Sequence, residues 1–530
     1  MTQRTPALTD RLILRGGTVV DGTGAPPADL DVVVAGGVIV ALRSPGGATE
    51  SPGARVVDCT GWVVAPGFID IHAHSDLTRL RYPDAATRVL QGVTTEVIGN
   101  CGLTPAPAPA RGHDAFRAVI GTIDIAPGVD FSWTSTADFL DALDAVPGAT
   151  NLVPLIGHGS IRYAVMGASA ATASDRELDM MTGLLHDALD AGCWGMSLGL
   201  MYAPGELSDP GELRRLTGKV AARGALLTAH MRAYDAERLP AAVDEVVSLA
   251  AQAGTGLEIS HLRSLRDQDG SGLERAVTLI EAADEVEADS YPYLAGHTTL
   301  LQLLPEHLRG RGIADIVATA FHNPGGIASA IRQAGSIVPE DVTVAKGGPG
   351  IAPEVGRTLA ELASQSKGDW TLAIEDLIRR YDGNVDVIVV GTRPQDALRV
   401  LAHPLVSVAS DGVSLGLEHA ANLPHPRSIG TFPRAVDELR AAGLRLEEIV
   451  RKMTSKPAKR IGLAGHGVIA AGKIADIVVF SPEQMKDNAT YSSPLVPPSG
   501  VRDVFVSGQP VLLSGARTSL RPGSVLRRRA

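Results

Sequence analysis

The segment Gly67-Phe68-Ile69-Asp70-Ile71-His72-Ala73-His74-Ser75-Asp76 joins an apolar run, Phe68, Ile69 and Ile71, to two histidines spaced two residues apart. The run reads as a buried strand. Strand side chains alternate between faces, so His72 and His74 project to the same side. If that side is the inside of a barrel, both imidazoles converge at the strand's C-terminal end, a geometry that suits a metal ion. A lone His-x-His is more often two polar residues at a strand end, so its meaning depends on what the rest of the chain places beside it.

Beyond this segment, strand-length apolar runs alternate with helical periodicity, which implies a parallel sheet. Eight strands are expected: Phe68–His72, Thr95–Gly99, Leu152–Gly157, Trp194–Leu198, Ala225–His230, Leu257–His261, Glu287–Tyr291 and Val406–Asp411. Between the third and fourth, apolar Leu178, Met181, Leu184, Leu185, Ala188 and Leu189 recur at helical spacing. Ser174 with Glu177 forms a capping-box start there, and Gly192 a stop. Eight strands with intervening helices predict an α/β fold, a (β/α)8 TIM-like barrel with its site at the C-terminal strand ends. The gap between strands seven and eight is too long for one crossover, so part of it, about 303–404, is read as an inserted lid. This gap contains the Gly-rich Lys346-Gly347-Gly348-Pro349-Gly350 and the apolar Val385–Val390. The latter is a strand of the insertion or a competitor for the eighth barrel place. Val406–Asp411 is preferred because it ends in a carboxylate.

Both flanks read as β structure. Leu12–Arg15, Gly16-Gly17 and Thr18–Gly22 suggest strand, turn and strand, and Asp31–Leu42 suggests a hairpin about Gly36-Gly37. Val56–Cys59 and Trp62–Ala65 add two short strands, with Pro66 as punctuation. After a helix near Leu446–Met453, Gly467–Ile469, Gly472–Phe480, Val501–Gly508 and Pro510–Leu513 return to β. The simplest architecture joins the ends into one small β-sandwich domain, with divisions at 1–64, 65–464 and 465–530.

A chain of 530 residues is long enough for such a barrel with an accessory domain. A formal charge of −11 argues against nucleic acid and anionic membranes as partners, and the basic tail Arg527-Arg528-Arg529 reads as a solvated end. No apolar run reaches about 18 residues, and Met1–Pro6 lacks the apolar core of a signal peptide. The three cysteines, Cys59, Cys101 and Cys193, are too few for a disulfide framework, so a cytoplasmic location is expected. The oligomeric state is not legible.

The strand ends give the His-x-His pair its meaning. Strand one ends at His72 and His74, strand two is followed by Cys101, and strands five, six and eight end at His230, His261 and Asp411. Imidazole and thiolate donors favour zinc over magnesium or calcium. A catalytic zinc keeps one position open for water and lowers that water's pKa to about 7. Asp411 then serves as proton acceptor and donor, and together these groups equip a site to hydrolyse an amide. His158, which ends strand three, reads as structural, and Cys59 and Cys193 as packed or exposed thiols without a role.

These residues carry a resemblance. Gly67–Asp76, Gly92-Val93-Thr94-Thr95, Gly99-Asn100-Cys101-Gly102, Gly157–Arg162, Asp289-Ser290-Tyr291-Pro292-Tyr293, Ser410-Asp411-Gly412 and His425–Arg434 are similar to the amidohydrolase superfamily. Within it they resemble the D-aminoacylase (N-acyl-D-amino-acid deacylase) family, over nearly the whole chain. Many superfamily members bridge two metals through a carboxylated lysine on strand four. Trp194–Leu198 has no lysine, and Cys101 takes the ligand role. The resemblance implies a tight zinc on Cys101, His230 and His261, a weaker metal position at His72 and His74, and Asp411 as general base and acid. It places Arg263, Arg427 and Tyr202 at the substrate carboxylate, which a guanidinium grips through paired hydrogen bonds. Tyr291 lies in the matching motif.

The chain departs from the family in places. Arg263 stands where lysine is common. Ala295-Gly296-His297-Thr298 has histidine where a serine near the carboxylate is usual, and Val413–Glu418 makes a longer segment after Asp411. His297 is a substrate contact or a polar rim residue. The expected activity is zinc-dependent hydrolysis of N-acyl-D-amino acids or close analogues. The rivals are hydrolysis of a cyclic amide or acylated natural product and, less favoured, a silent binding protein on the same fold.

Overall fold

The computed structural model describes residues 11–48, 53–109, 112–121, 128–129, 131–309, 312–335, 337–348, 352–366, 368–418 and 422–529. Met1–Pro6 and the Pro349-Gly350 end of the glycine-rich piece lie outside them.

All eight expected barrel strands form. They are strand one, Phe68–Asp70; two, Val93–Ile98; three, Asn151–Pro154 continued by Ile156–Gly157; four, Gly195–Gly199; five, Leu226–His230; six, Leu257–Ile259; seven, Val286–Ser290; and eight, Val406–Val408. Each pairs parallel with the next from strand one to strand eight; strand three hands over at Leu155, whose N–H donates to the Ile98 carbonyl at 2.9 Å. The barrel closes where Asp411 N–H donates to the His72 carbonyl and His74 N–H to the Gly412 carbonyl, both at 2.8 Å. Closure thus brings the histidine pair directly against the segment carrying Asp411. The helix Asp175–Ala191 starts in a Ser174–Glu177 capping box and stops at left-handed Gly192, as the sequence implies.

Beneath the site a buried charge network ties three strands together. Arg88 pairs with Asp70 and Glu96, each at 3.2 Å, and the Ser410 hydroxyl donates to Asp70. With their partners so close, these charges can remain buried.

The insertion has its own antiparallel sheet, ordered Ala295–Thr299, Val385–Val390, Val342–Gly347, and its own apolar core, including Ile316, Ile331, Leu377 and Val387. Val385–Val390 is therefore a strand of the insertion. The insertion starts before residue 303, since Ala295–Thr299 is already its edge strand. The helix Pro394–Ala402 belongs to the barrel, where Val400 and Leu401 are buried with barrel residues.

The chain ends share one nine-stranded mixed sheet. Its centre runs Val501–Val506, Ile477–Phe480, Val63–Pro66, Arg11–Val19, Ala28–Ala35, and its faces alternate as a sheet must. Ile477 and Val479 face the sheet's own core, while Val478 and Phe480 face the barrel. There Phe68 of strand one stacks on Phe432 at 5.6 Å and meets Phe480 edge-on at 5.8 Å.

Gly16-Gly17 is a bulge inside one continuous strand, Arg11–Val19, and not a turn. A Cβ on Gly17 would lie 2.6 Å from Val64 and 2.9 Å from Cys59, so a side chain is excluded there. Gly467–Ile469 forms no strand. The basic tail is docked on the barrel: Leu526 N–H donates to the Leu152 carbonyl at 2.7 Å, and Arg527 pairs with Asp141 and Asp144. No helix among the described residues is long and apolar enough to cross a membrane.

Candidate metal centre

The turn after strand two fixes Cys101. Gly99, Cys101 and Gly102 all have positive φ, and Ser197 of strand four accepts the Gly102 N–H at 3.0 Å and donates to the Gly99 carbonyl. The approach is so close that a Cβ on Gly199 would sit 2.0 Å from the Cys101 carbonyl oxygen. Three of the candidate donors, Cys101 (φ 55°), His261 (φ 35°) and Asp411 (φ 50°), hold left-handed backbone that residues with a side chain seldom adopt. Such strain persists only where the surroundings enforce it, and it concentrates at functional sites.

The barrel rim brings all six residues together in two overlapping groups. His72, His74, Cys101 and Asp411 form one and Cys101, His230 and His261 the other, with the donor atoms of each group within 4.8 Å of one another. The Cys101 Sγ is common to both, 3.3 Å from His72 Nε2 and 3.6 Å from His261 Nε2. Asp411 Oδ1 lies 3.0 Å from His74 Nε2 and 3.5 Å from His72 Nε2. Every member is buried. Among the described residues, neither buried ring nitrogen of His230 has a partner in hydrogen-bond geometry, which is costly unless something else meets them. Four imidazoles around a thiolate, with orphaned nitrogens, fit a borderline-soft cation such as zinc.

Electrostatics agree. Burial opposes ionisation of Cys101, but His72, His74 and His230 overcome it and hold the thiol well below its ordinary range. Burial likewise opposes ionisation of Asp411, and Arg427, His261, His74 and His72 overcome it, so it is a carboxylate. Cys59 and Cys193 are the opposite case: burial pushes them up to about 11 and about 12, as inert packed thiols.

The residues expected at the substrate carboxylate also converge. Arg427 Nη1 sits 2.6 Å from Asp411 Oδ2, its guanidinium lies 5.0 Å from the Tyr291 ring centroid, and Arg263 donates to the Tyr291 hydroxyl. The Tyr202 ring lies 4.6 Å from that of His230. His297, on the insertion's edge strand, lines a cavity of about 40 Å³ with His74, Asp411 and Arg427, and burial pushes it down to about 3, leaving it neutral. His158 is remote in role: it opens the helix His158–Met166 and pairs with Glu212 at 2.7 Å, while Arg162 pairs with the other oxygen of the same carboxylate.

The amidohydrolase family profiles match residues 55–323 and 296–511. An N-acyl-D-glutamate deacylase of Alcaligenes xylosoxydans xylosoxydans is 34% identical over 98% of this chain and 97% of its own length. The chain belongs to the amidohydrolase family, in its D-aminoacylase branch. A D-aminoacylase of the same organism is 33% identical over 98% of both chains. The crystal structure of an N-acyl-D-glutamate deacylase from Bordetella bronchiseptica, complexed with zinc and a phosphonate mimic of the tetrahedral intermediate, superposes with a TM-score of 0.81 at 32% identity, covering 97% of this chain and 99% of that one.

Two residues of this amidohydrolase site escape the sequence reading. Asp289 of strand seven accepts the His261 N–H on Oδ1 at 2.7 Å and faces His72 Nδ1 with Oδ2 at 3.1 Å, so one buried carboxylate orients both donor groups. An acidic residue within a buried strand is the signal that could have found it, because such a group demands partners. His425 accepts the Arg427 N–H on Nδ1 at 3.0 Å and donates from Nε2 to the Ala295 carbonyl at 3.1 Å. It thereby fixes Arg427 against the insertion's edge strand, a contact no local pattern reveals.

Proposed function

We propose that this amidohydrolase hydrolyses the amide bond of N-acyl-D-amino acids, or close analogues, to a carboxylate and a free amine. The observation that carries the reading is the convergence of two donor groups on one thiolate, with Asp411 and a pair of guanidinium groups beside them. Cys101, His230 and His261 would hold the tighter zinc, and His72 and His74 a weaker second position. A bound zinc supplies Lewis acidity, which polarises the acyl carbonyl and makes water acidic enough to attack at neutral pH.

The chain's own groups do the rest. Arg263, Arg427 and Tyr291 grip the substrate carboxylate, Tyr202 packs on the reacting end, and His297 borders the bound molecule from the insertion. In the free protein Asp411 is occupied by Arg427. A substrate carboxylate competes for that guanidinium and releases Asp411 to accept the proton of the attacking water. Asp411 then returns the proton to the nitrogen as the C–N bond breaks. The three cysteines are free and buried, in keeping with a reducing cytoplasm. The substrate is a small molecule, and neither nucleic acid nor membrane is needed.

A panel of N-acetyl D- and L-amino acids, with a hydantoin and a dihydropyrimidine, tests the reading on zinc-replete protein. Turnover confined to N-acyl-D-amino acids is expected. Turnover of only the cyclic amides would replace this function with the rival one.

A further inference from the structure

The terminal sheet joins its neighbouring antiparallel strands Ile477–Phe480 and Val501–Val506 through residues 481–500. Two residues can make such a connection, and ordered loops longer than about 15 residues are usually functional. This loop narrows to a neck where Lys486 and Ser499 exchange backbone hydrogen bonds at 3.3 and 3.0 Å. Beyond the neck its tip leaves the sheet and lies against the barrel helix Arg427–Ala441. The approach is close: a Cβ on Gly430 of that helix would sit 2.1 Å from Asp487 Oδ1.

Asp487 anchors the tip. Its side chain is buried, so its charge needs partners. Oδ2 accepts the Tyr293 hydroxyl at 2.7 Å, Oδ1 accepts the Ala489 N–H at 2.9 Å, and Arg434 Nη1 stands 3.9 Å from Oδ2. Past the anchor, Tyr491 packs on Ala295, Ala345 and Ile388 of the insertion. The rings of Tyr293 and Tyr491 both meet His425 edge-on, with centroids 5.2 Å from that of the imidazole and interplanar angles of 90° and 88°. This is the imidazole that accepts the Arg427 N–H and donates to the Ala295 carbonyl. A loop of the terminal sheet thus reaches the support of a guanidinium that pairs with Asp411.

We infer that Tyr491 and Asp487 are positioning residues: the loop of the terminal sheet holds the His425 ring, and through it Arg427, in place for the substrate carboxylate. The inference rests on the function proposed above and extends its carboxylate grip to a third part of the chain. A grip made equally in the bound substrate and the transition state sets KM and leaves kcat unchanged. Loosening it should therefore appear in KM, by up to about 100-fold for a guanidinium displaced on the order of 1 Å.

The test measures kcat, KM and zinc content of the zinc-loaded wild type, Tyr491→Ala, Tyr491→Phe and Asp487→Ala. The substrate is whichever of N-acetyl-D-alanine, N-acetyl-D-phenylalanine and N-acetyl-D-glutamate the wild type hydrolyses fastest. Hydrogen exchange at the Arg427 amide is followed in the same proteins. Both alanine variants should raise KM at least about fivefold, keep kcat within about threefold and zinc content at the wild-type level, and speed exchange at Arg427. Tyr491→Phe keeps the ring and should stay below that rise in KM. A smaller rise in either alanine variant, a larger loss of kcat, lost zinc, or a Tyr491→Phe as damaged as Tyr491→Ala overturns the inference. If Tyr491→Ala does not fold, Asp487→Ala is judged by the same criteria. If no substrate turns over, the proposed function fails separately and exchange decides. Faster exchange at Arg427 in Tyr491→Ala but not in Tyr491→Phe supports the positioning role; unchanged exchange, or faster exchange throughout the protein, overturns it.

Discussion

Replacing Asp289 by asparagine should separate the two proposed metal positions. In the native protein Asp289 Oδ1 takes the His261 N–H at 2.7 Å while Oδ2 holds the proton on His72 Nδ1 at 3.1 Å, leaving His72 Nε2 to face Cys101. Asparagine keeps only one oxygen. If that oxygen stays on His261, the amide N–H₂ points at His72 Nδ1, which must then accept, and the ring proton moves to Nε2, the nitrogen needed for metal. The reversed amide sets donor against donor at His261, so the first orientation prevails. Loss of an outer hydrogen bond to a metal-binding histidine weakens affinity about 10- to 100-fold, roughly 1.4 to 2.7 kcal/mol. Competitive chelator titration of zinc should show the second equivalent weakened by that factor, with the first, on Cys101, His230 and His261, changed by less than about threefold. Equal affinity for both equivalents before and after the substitution, or equal weakening of both, refutes the reasoning.

Other outcomes follow from the same geometry. Burial, Arg427 and His297 hold His425 well below the usual histidine value, so it is neutral when folded but takes a proton below about pH 6.5 when unfolded. The unfolded state then binds more protons as pH falls, and stability drops by about 1.4 kcal/mol per unit, or roughly 2 kcal/mol between pH 6.5 and 5. Urea unfolding should show this slope, and His425→Gln, which can keep both hydrogen bonds, should flatten it; identical slopes would contradict the assignment. Cys101→Ala removes the donor common to both groups, so elemental analysis should find the zinc-to-protein ratio well below that of wild type. An unchanged ratio removes Cys101 from the site.

The barrel and the convergence of its candidate donors were legible because both are written locally. Each donor ends or follows a strand whose apolar run marks it, and period-two alternation puts His72 and His74 on one side. What stayed hidden depends on contacts distant in sequence. Ala295–Thr299 has no strand-like apolar pattern and becomes a strand only by pairing with Val385–Val390. Gly16-Gly17 suggests a turn, yet Val64 and Cys59 pack so closely that the pair is a bulge. Asp289 stands in a matching motif but has no role of its own until closure of the barrel sets it between His72 and His261. The Arg527 tail looks solvated until Asp141 and Asp144 come beside it.

The central claim is that Asp411 moves the proton while the other donors hold the metal. The most direct measurement is kcat of Asp411→Asn toward an N-acyl-D-amino acid that the wild type hydrolyses, made on protein whose zinc content is measured in the same sample. The account predicts zinc at the tight position equal to wild type and turnover lowered by about 100-fold or more, the scale of lost general acid–base catalysis. Near-normal turnover at full zinc content would contradict it.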